Sequence, residues 1–161
     1  MKKIKIIMVI LITFLCLTAT GFAKPVITSD SNYFDFNTGK YVLEGNVSVK
    51  TNSRTITADK AIVSITSMEV WGEGNVKVIQ DEITFTGNKV YVSGNKKTAE
   101  ISGGVDLERD HLSIKADNVT YNWKTKVAEF SGNITVQDAT ENYSAETLKY
   151  DMKDNKVIEH Q

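Results

Sequence analysis

From residue 26 onward the chain alternates apolar and polar positions, a period of two that marks half-buried strands rather than helices. In the stretch from Tyr41 to Lys50, Tyr41, Leu43, Val47 and Val49 share one face, while Glu44, Asn46, Ser48 and Lys50 share the other. Polar turn residues follow at Asn52-Ser53, Gln80-Asp81, Arg109-Asp110 and Asp138-Ala139-Thr140. A second set of turns is marked by Gly94-Asn95, Thr125 and Asp154-Asn155. The abundance of Thr, Val, Ile and Tyr agrees with strands. The pattern predicts an all-β chain of antiparallel strands.

The strands are copies of one another. Gly45-Asn46-Val47-Ser48-Val49 returns as Gly74-Asn75-Val76-Lys77-Val78, Gly103-Gly104-Val105-Asp106-Leu107 and Gly132-Asn133-Ile134-Thr135-Val136, each 29 residues after the last. A second marker keeps the same step: Ile56-Thr57-Ala58-Asp59, Phe85-Thr86-Gly87-Asn88, Ile114-Lys115-Ala116-Asp117 and Tyr143-Ser144-Ala145-Glu146. Ile27-Thr28-Ser29-Asp30 stands 29 residues ahead of the first, so about four and a half repeats are present.

Antiparallel pairing through the turns sets the two markers side by side on every strand, in one line perpendicular to the strands. Gly45, Ala58, Gly74, Gly87, Gly103, Ala116, Gly132 and Ala145 occupy this line with inward parity, and all are small. Parity also slips between Ala58 and Ala61, as a bulge near Asp59-Lys60 would require. Each long strand is therefore expected to be creased at its middle, folding the sheet into a V-shaped trough or taco. Nine such strands at roughly 4.8 Å spacing give a trough about 43 Å long. Its lining reads Leu43, Val47, Ile56, Val76, Phe85, Ile101, Val105, Ile114, Phe130, Ile134 and Leu148 near the crease, with Ala61, Val90 and Val119. Val49, Val63, Ile65, Val78, Leu107, Trp123 and Val136 lie farther toward the lips, with Phe36, Tyr41 and Met152. Two fillings of this interior are open: a core packed by its own side chains, or a groove for an apolar ligand. The residues alone favour the packed core; the small residues on the crease and the lack of apolar closing segments are the argument for the groove, to which a family resemblance adds.

Residues 1–23 do not belong to this pattern. A basic start (Lys2, Lys3, Lys5), an apolar run from Ile6 to Leu17 and Gly21-Phe22-Ala23 read as a cleavable secretory signal peptide, leaving residues 24–161 as one exported domain. The alternative is that residues 4–23 stay as a membrane anchor. The chain's single cysteine, Cys16, lies in this segment, so no disulfide framework supports the domain. Nineteen basic side chains against twenty acidic ones, three of the lysines in the leader, give no support to nucleic-acid binding.

The repeated Gly-Asn-Val with a trailing Ala-Asp resembles the OstA-like family of periplasmic lipopolysaccharide transport proteins, LptA with the related LptC and the N-terminal part of LptD, over about residues 26–158. The resemblance implies a β-jellyroll or β-taco whose apolar groove carries the acyl chains of lipid A. It also implies head-to-tail stacking into a bridge between an LptC-like inner-membrane partner and an LptD-like outer-membrane partner. The third repeat departs at Gly103-Gly104 and the second at Gly87-Asn88.

Little else carries chemistry. His111 and His160 are the only histidines, one in a turn and one in the tail, and no spacing suggests a metal, nucleotide or other cofactor. The recurring Asp59, Asp117 and Glu146 are expected to cap turns; the other reading is the carboxylate row of a glycan hydrolase. Trp71 should face outward and Trp123 should sit at the lip. Unprotected sheet edges are expected at residues 26–36 and 143–157, with Lys149, Lys153 and Lys156 restraining uncontrolled growth there. The sum is a non-enzymatic lipid carrier.

Overall fold

A computed structural model describes residues 26–50, 54–80 and 82–161. The segment expected to be a leader, the turn at Asn52-Ser53 and Asp81 lie outside the described residues. Eleven strands form one antiparallel sheet: β1 (Val26–Thr28), β2 (Ser31–Asp35), β3 (Lys40–Lys50), β4 (Thr55–Ser64), β5 (Glu69–Gln80), β6 (Ile83–Ser93), β7 (Thr98–Arg109), β8 (Leu112–Asn122), β9 (Val127–Gln137), β10 (Asn142–Asp151) and β11 (Lys156–His160). Each strand from β3 to β10 pairs with its chain neighbours, and the sheet is open rather than closed into a barrel. β1 and β2 pair with the two halves of β3 and are the two arms of one creased strand. At the other end, β11 pairs with Leu148 to Asp151 of β10, and Gln161 continues the bonding to Glu146 and Thr147. The C-terminal edge is thus β11 together with the outer side of residues 142–145, one half-strand beyond the edge expected at residues 143–157.

The crease has a definite backbone cause. Glu44 pairs with Lys60 and Val47 with Ala58, so Gly45-Asn46 stand opposite the single residue Asp59. The same two-against-one step sets Gly74-Asn75 opposite Asn88, Gly103-Gly104 opposite Asp117 and Gly132-Asn133 opposite Glu146. Both residues of each pair are left-handed, with φ of 72° and 47° at Gly45-Asn46 and 78° and 46° at Gly74-Asn75. Glycine and asparagine tolerate that region best, and two successive left-handed residues redirect the strand. The bulge therefore sits on the Gly-Asn strands, facing Asp59, rather than at Asp59-Lys60.

The glycines do not face the interior, as parity had suggested. A Cβ on Gly74 would lie 2.5 Å from the Asp59 carboxylate, and one on Gly45 would lie 2.6 Å from that of Asp30. These aspartates lie across the glycines and accept a hydrogen bond from the next side chain: Asn46 Nδ2 to Asp30, Asn75 Nδ2 to Asp59 and Asn133 Nδ2 to Asp117, each at 2.8 Å. They are cross-strand clasps on the outer ridge, not turn caps. Where the third repeat replaces Asn by Gly104, the matching aspartate is replaced by Asn88, so both halves of the clasp lapse together. The small residues of the intervening strands stand instead beside the branched residues: Ala58 opposite Val47, Gly87 opposite Val76, Ala116 opposite Val105 and Ala145 opposite Ile134.

One lip of the trough is a row of turns at 36–39, 65–68, 94–97, 123–126 and 152–155. Each is capped from the same repeat position, with Asp35, Ser64, Ser93, Asn122 and Asp151 accepting turn N–H groups at 2.8–3.3 Å. Successive turns are joined by Gly94 N–H to Met68 O at 2.8 Å, Trp123 N–H to Lys97 O at 3.1 Å and Met152 N–H to Lys126 O at 2.9 Å.

Gly74→Ala should lower stability by about 2–3 kcal/mol, combining left-handed strain with displacement of the Asp59 clasp, whereas Gly104→Ala, with nothing within 4 Å of its would-be Cβ, should cost only about 1 kcal/mol. Urea unfolding of the two variants measures the contrast. Acid should act through the turn caps. The Thr38 hydroxyl and the Asn37 N–H hold the Asp35 carboxyl below its ordinary value, and the N–H groups of Asp154 and Lys153 do the same for Asp151. Depressed folded values mean a stabilisation fully present above about pH 4, the ordinary unfolded carboxylate range, and lost as the pH falls through the folded values. The Asp35→Asn, Asp151→Asn double variant, which keeps both acceptors, should show a shallower fall of the urea midpoint below about pH 4 than the parent.

Candidate functional site

The interior between the two half-sheets is the feature that the sequence pattern builds most consistently. Leu43, Val47, Val63, Val76, Val78, Phe85, Ile101, Val105, Leu107, Ile114, Phe130, Ile134, Val136 and Leu148 are buried. Val49, Ile56, Ile65 and Trp123 are half-buried, Ile65 in the turn after β4. Of the crease residues, Ala58 and Ala116 are buried, Gly45, Gly74, Gly87, Gly132 and Ala145 are half-buried, and Gly103 is exposed.

One large cluster joins residues of both half-sheets, Val76, Phe85, Leu107 and Ile114 from one and Val90, Ile101, Val119, Phe130 and Leu148 from the other. Phe85 meets Tyr121 across the interior with ring centroids 6.0 Å apart. Leu107, Ile114 and Ala128 have no exposed surface, so this part of the trough is filled by its own side chains. Leu43, Val47, Ala61 and Val63 form a second, smaller cluster at the β1–β5 end, with Ile27, Tyr41 and Val70 against it.

The contacts across the interior also show how the half-sheets cross. Phe85 of β6 meets Tyr121 of β8, Arg54 before β4 reaches Trp123 after β8, and Arg109 of β7 reaches Met152 after β10. Strand twist thus offsets the facing arms by two to four strands. The half-sheet carrying β2 and the first half of β3 consequently has little opposite it. Phe34 is 38% exposed and Phe36 90% exposed; Phe34 packs edge-on against Phe36 and Tyr41 with centroids 5.1 and 4.9 Å apart. The trough ends there in an uncovered aromatic cluster.

The outer surface has a different character. A groove of about 580 Å³ is lined by Trp71, Tyr91, Glu73, Lys89, Glu100 and Thr120. Lys40 Nζ lies 4.1 Å from the Trp71 ring centre and Tyr91 stacks at 5.6 Å, so the indole is engaged by both neighbours. The Tyr91 hydroxyl donates to Glu69, which raises the phenol's pKa, while hydrogen bonds from Ser67 and Tyr91 lower that of Glu69. His111 is exposed in a turn, and His160 lies in β11 with its ring 5.3 Å from that of Tyr143. Among the described residues no group of three His, Cys, Asp or Glu is placed to hold a metal ion. Lys149 pairs with Glu159 at 3.1 Å and Lys156 with Asp154 at 3.7 Å near the C-terminal edge.

Fold and interior define a class: open antiparallel sheets creased along one line, with an apolar interior between the arms. The sequence matches the family described as LptA/(LptD N-terminal domain) LPS transport protein over residues 26–69 and 63–156, and the chain belongs to that family. It is the family that the repeated Gly-Asn motif resembles. Among solved structures the chain is similar to LptH of Pseudomonas aeruginosa, described as the LptA homologous periplasmic component of the conserved lipopolysaccharide transport device. The TM-score is 0.60 at 18% identity, over 65% of this chain and 79% of that one. No protein of curated function matches the chain.

Proposed function

We propose that this chain is a periplasmic carrier that holds the acyl chains of lipopolysaccharide between its two half-sheets and passes them along the crease. The observation that carries this reading is the large apolar cluster shared by both arms of a sheet hinged on left-handed Gly-Asn pairs, in a chain of a lipopolysaccharide transport family. Burial of hydrocarbon is worth about 25 cal/mol per Å² and has no direction, so it grips a chain without fixing its position along the trough. Carriage of this kind needs no catalytic group. The periplasmic location agrees with a leader at residues 1–23 and with the description of LptH.

The partners follow from the ends of the sheet. The outer sides of β1 and β2, of β11 and of residues 142–145 carry no neighbouring strand among the described residues. An incoming strand can add to either edge by main-chain hydrogen bonding. Head-to-tail joining of copies would continue both the sheet and the trough, linking an LptC-like partner at the inner membrane to an LptD-like one at the outer membrane. The uncovered Phe34–Phe36–Tyr41 cluster at the N-terminal end supports such a continuation, because a second subunit would cover it.

A second reading rests on the filled core: a purely structural, self-stacking repeat protein needs no ligand, and the complete burial of Leu107 and Ile114 fits it. Photo-crosslinking in cells separates the two. A crosslinker at Val76 or Ile114 should capture lipopolysaccharide, whereas one at Tyr33 or Ile158 should capture protein. Capture of protein at the edges with no lipopolysaccharide from Val76 or Ile114 would favour the structural reading.

A further inference from the structure

The chain contains two arginines, Arg54 and Arg109, and the fold puts both on the same lip. Arg54 immediately precedes β4 and Arg109 ends β7, opposite the row of capped turns. Both reach across the mouth to that row. The guanidinium carbon of Arg54 lies 5.0 Å from the ring centre of Trp123. Its Nε and Nη2 donate to Gln80 Oε1 at 3.1 and 2.9 Å, which anchors the fork on its own lip. Arg109 donates from Nη1 to the Met152 carbonyl at 2.9 Å, and its charge opposes the upward pull of burial on the Tyr150 phenol.

We infer that Arg54 and Arg109 are a pair of latches that hold the two lips of the trough together. The interior behind them is occupied by its own side chains, so a guest the width of a hydrocarbon chain requires the arms to part. Parting them need not break the strand ladder, whose hydrogen bonds run within each arm and across the left-handed pairs of the crease. It must break the contacts at the mouth. A cation over an indole face at a wet boundary is a modest attraction, and Arg109 holds the facing arm through two acceptors, the Met152 carbonyl and the Tyr150 phenol, for which water can substitute when the mouth opens. The latches are therefore weak beside the sheet, and an arginine released from its partner still presents a planar fork to an anionic head group at the mouth. Use of the latches in loading rests on the reading of the trough as a lipid carrier; the closure itself does not.

The test uses the purified chain and the apolar dye bis-ANS, with lipopolysaccharide uptake followed separately. The Arg54→Ala, Arg109→Ala double variant should take up dye about 3- to 10-fold faster than the parent, the factor that two modest surface contacts allow. Lys60→Ala, which breaks the outer-face pair of Lys60 with Glu44 at 2.8 Å, should leave the rate unchanged. An unaltered rate in a double variant that keeps its circular dichroism and cooperative urea transition overturns the inference, as does an equal rise in Lys60→Ala. If the alanine variant does not fold, Arg54→Lys with Arg109→Lys, which keeps charge but loses the fork, should still raise the rate, and no rise overturns the latch. Lipopolysaccharide uptake with no arginine dependence of the dye sinks the latch alone. Dye uptake that depends on the arginines in a chain that takes up no lipopolysaccharide sinks the carrier reading alone.

Discussion

The whole structure depends on two successive left-handed residues in the middle of every second strand. A regular ladder of strands 10 to 12 residues long would twist smoothly and present one face on each side. Gly45-Asn46, Gly74-Asn75, Gly103-Gly104 and Gly132-Asn133 interrupt it at one level, each set against a single residue of the next strand. The sheet therefore folds on itself, and the inward sides of its two arms become one interior. Asp30, Asp59 and Asp117 reinforce this by lying over the glycines and accepting from the asparagines. The polar chemistry of the repeat is used at the ridge, which leaves the interior free to be apolar.

Because the fold is made from one sheet, its two arms meet across the interior through side chains, with the Met152 carbonyl as a main-chain acceptor at the mouth. Phe85 against Tyr121 and the large shared cluster hold them by apolar contact, and Arg54 and Arg109 add the polar contacts at the mouth. Main-chain bonding makes each arm stiff, while among the described residues no backbone–backbone hydrogen bond joins one arm to the other. That division of strength suits the proposed carrier role, in which the arms would keep their shape while the gap between them changes.

Much of this was legible in the chain. Strict alternation gives the strands, the 29-residue step gives the antiparallel order, and the slip between Ala58 and Ala61 gives the crease. Parity failed at the crease itself: counting inward and outward positions assumes extended backbone, and left-handed residues reset the count, so the missing Cβ of Gly74 points at Asp59 and not inward. The clasp had a signal, since Asp and Asn recur 16 residues apart and lapse together at Asn88 and Gly104. The turn caps were hidden by their variety: Asp35, Ser64, Ser93, Asn122 and Asp151 differ in identity but each offers a side-chain oxygen to the same N–H groups. The cross-mouth roles of Arg54 and Arg109 left no local trace, because the offset that brings Arg109 to Met152 is set by twist accumulated over several strands.

The central claim is that the arms part around a guest. Spin labels at Lys77 and Thr120, exposed positions on opposite arms, report the gap through their dipolar coupling. Adding lipopolysaccharide should lengthen the distance by about 4–5 Å, the thickness of one hydrocarbon layer between faces that pack at roughly 10 Å. Saturating lipopolysaccharide bound to the chain with the distance unchanged would contradict the account.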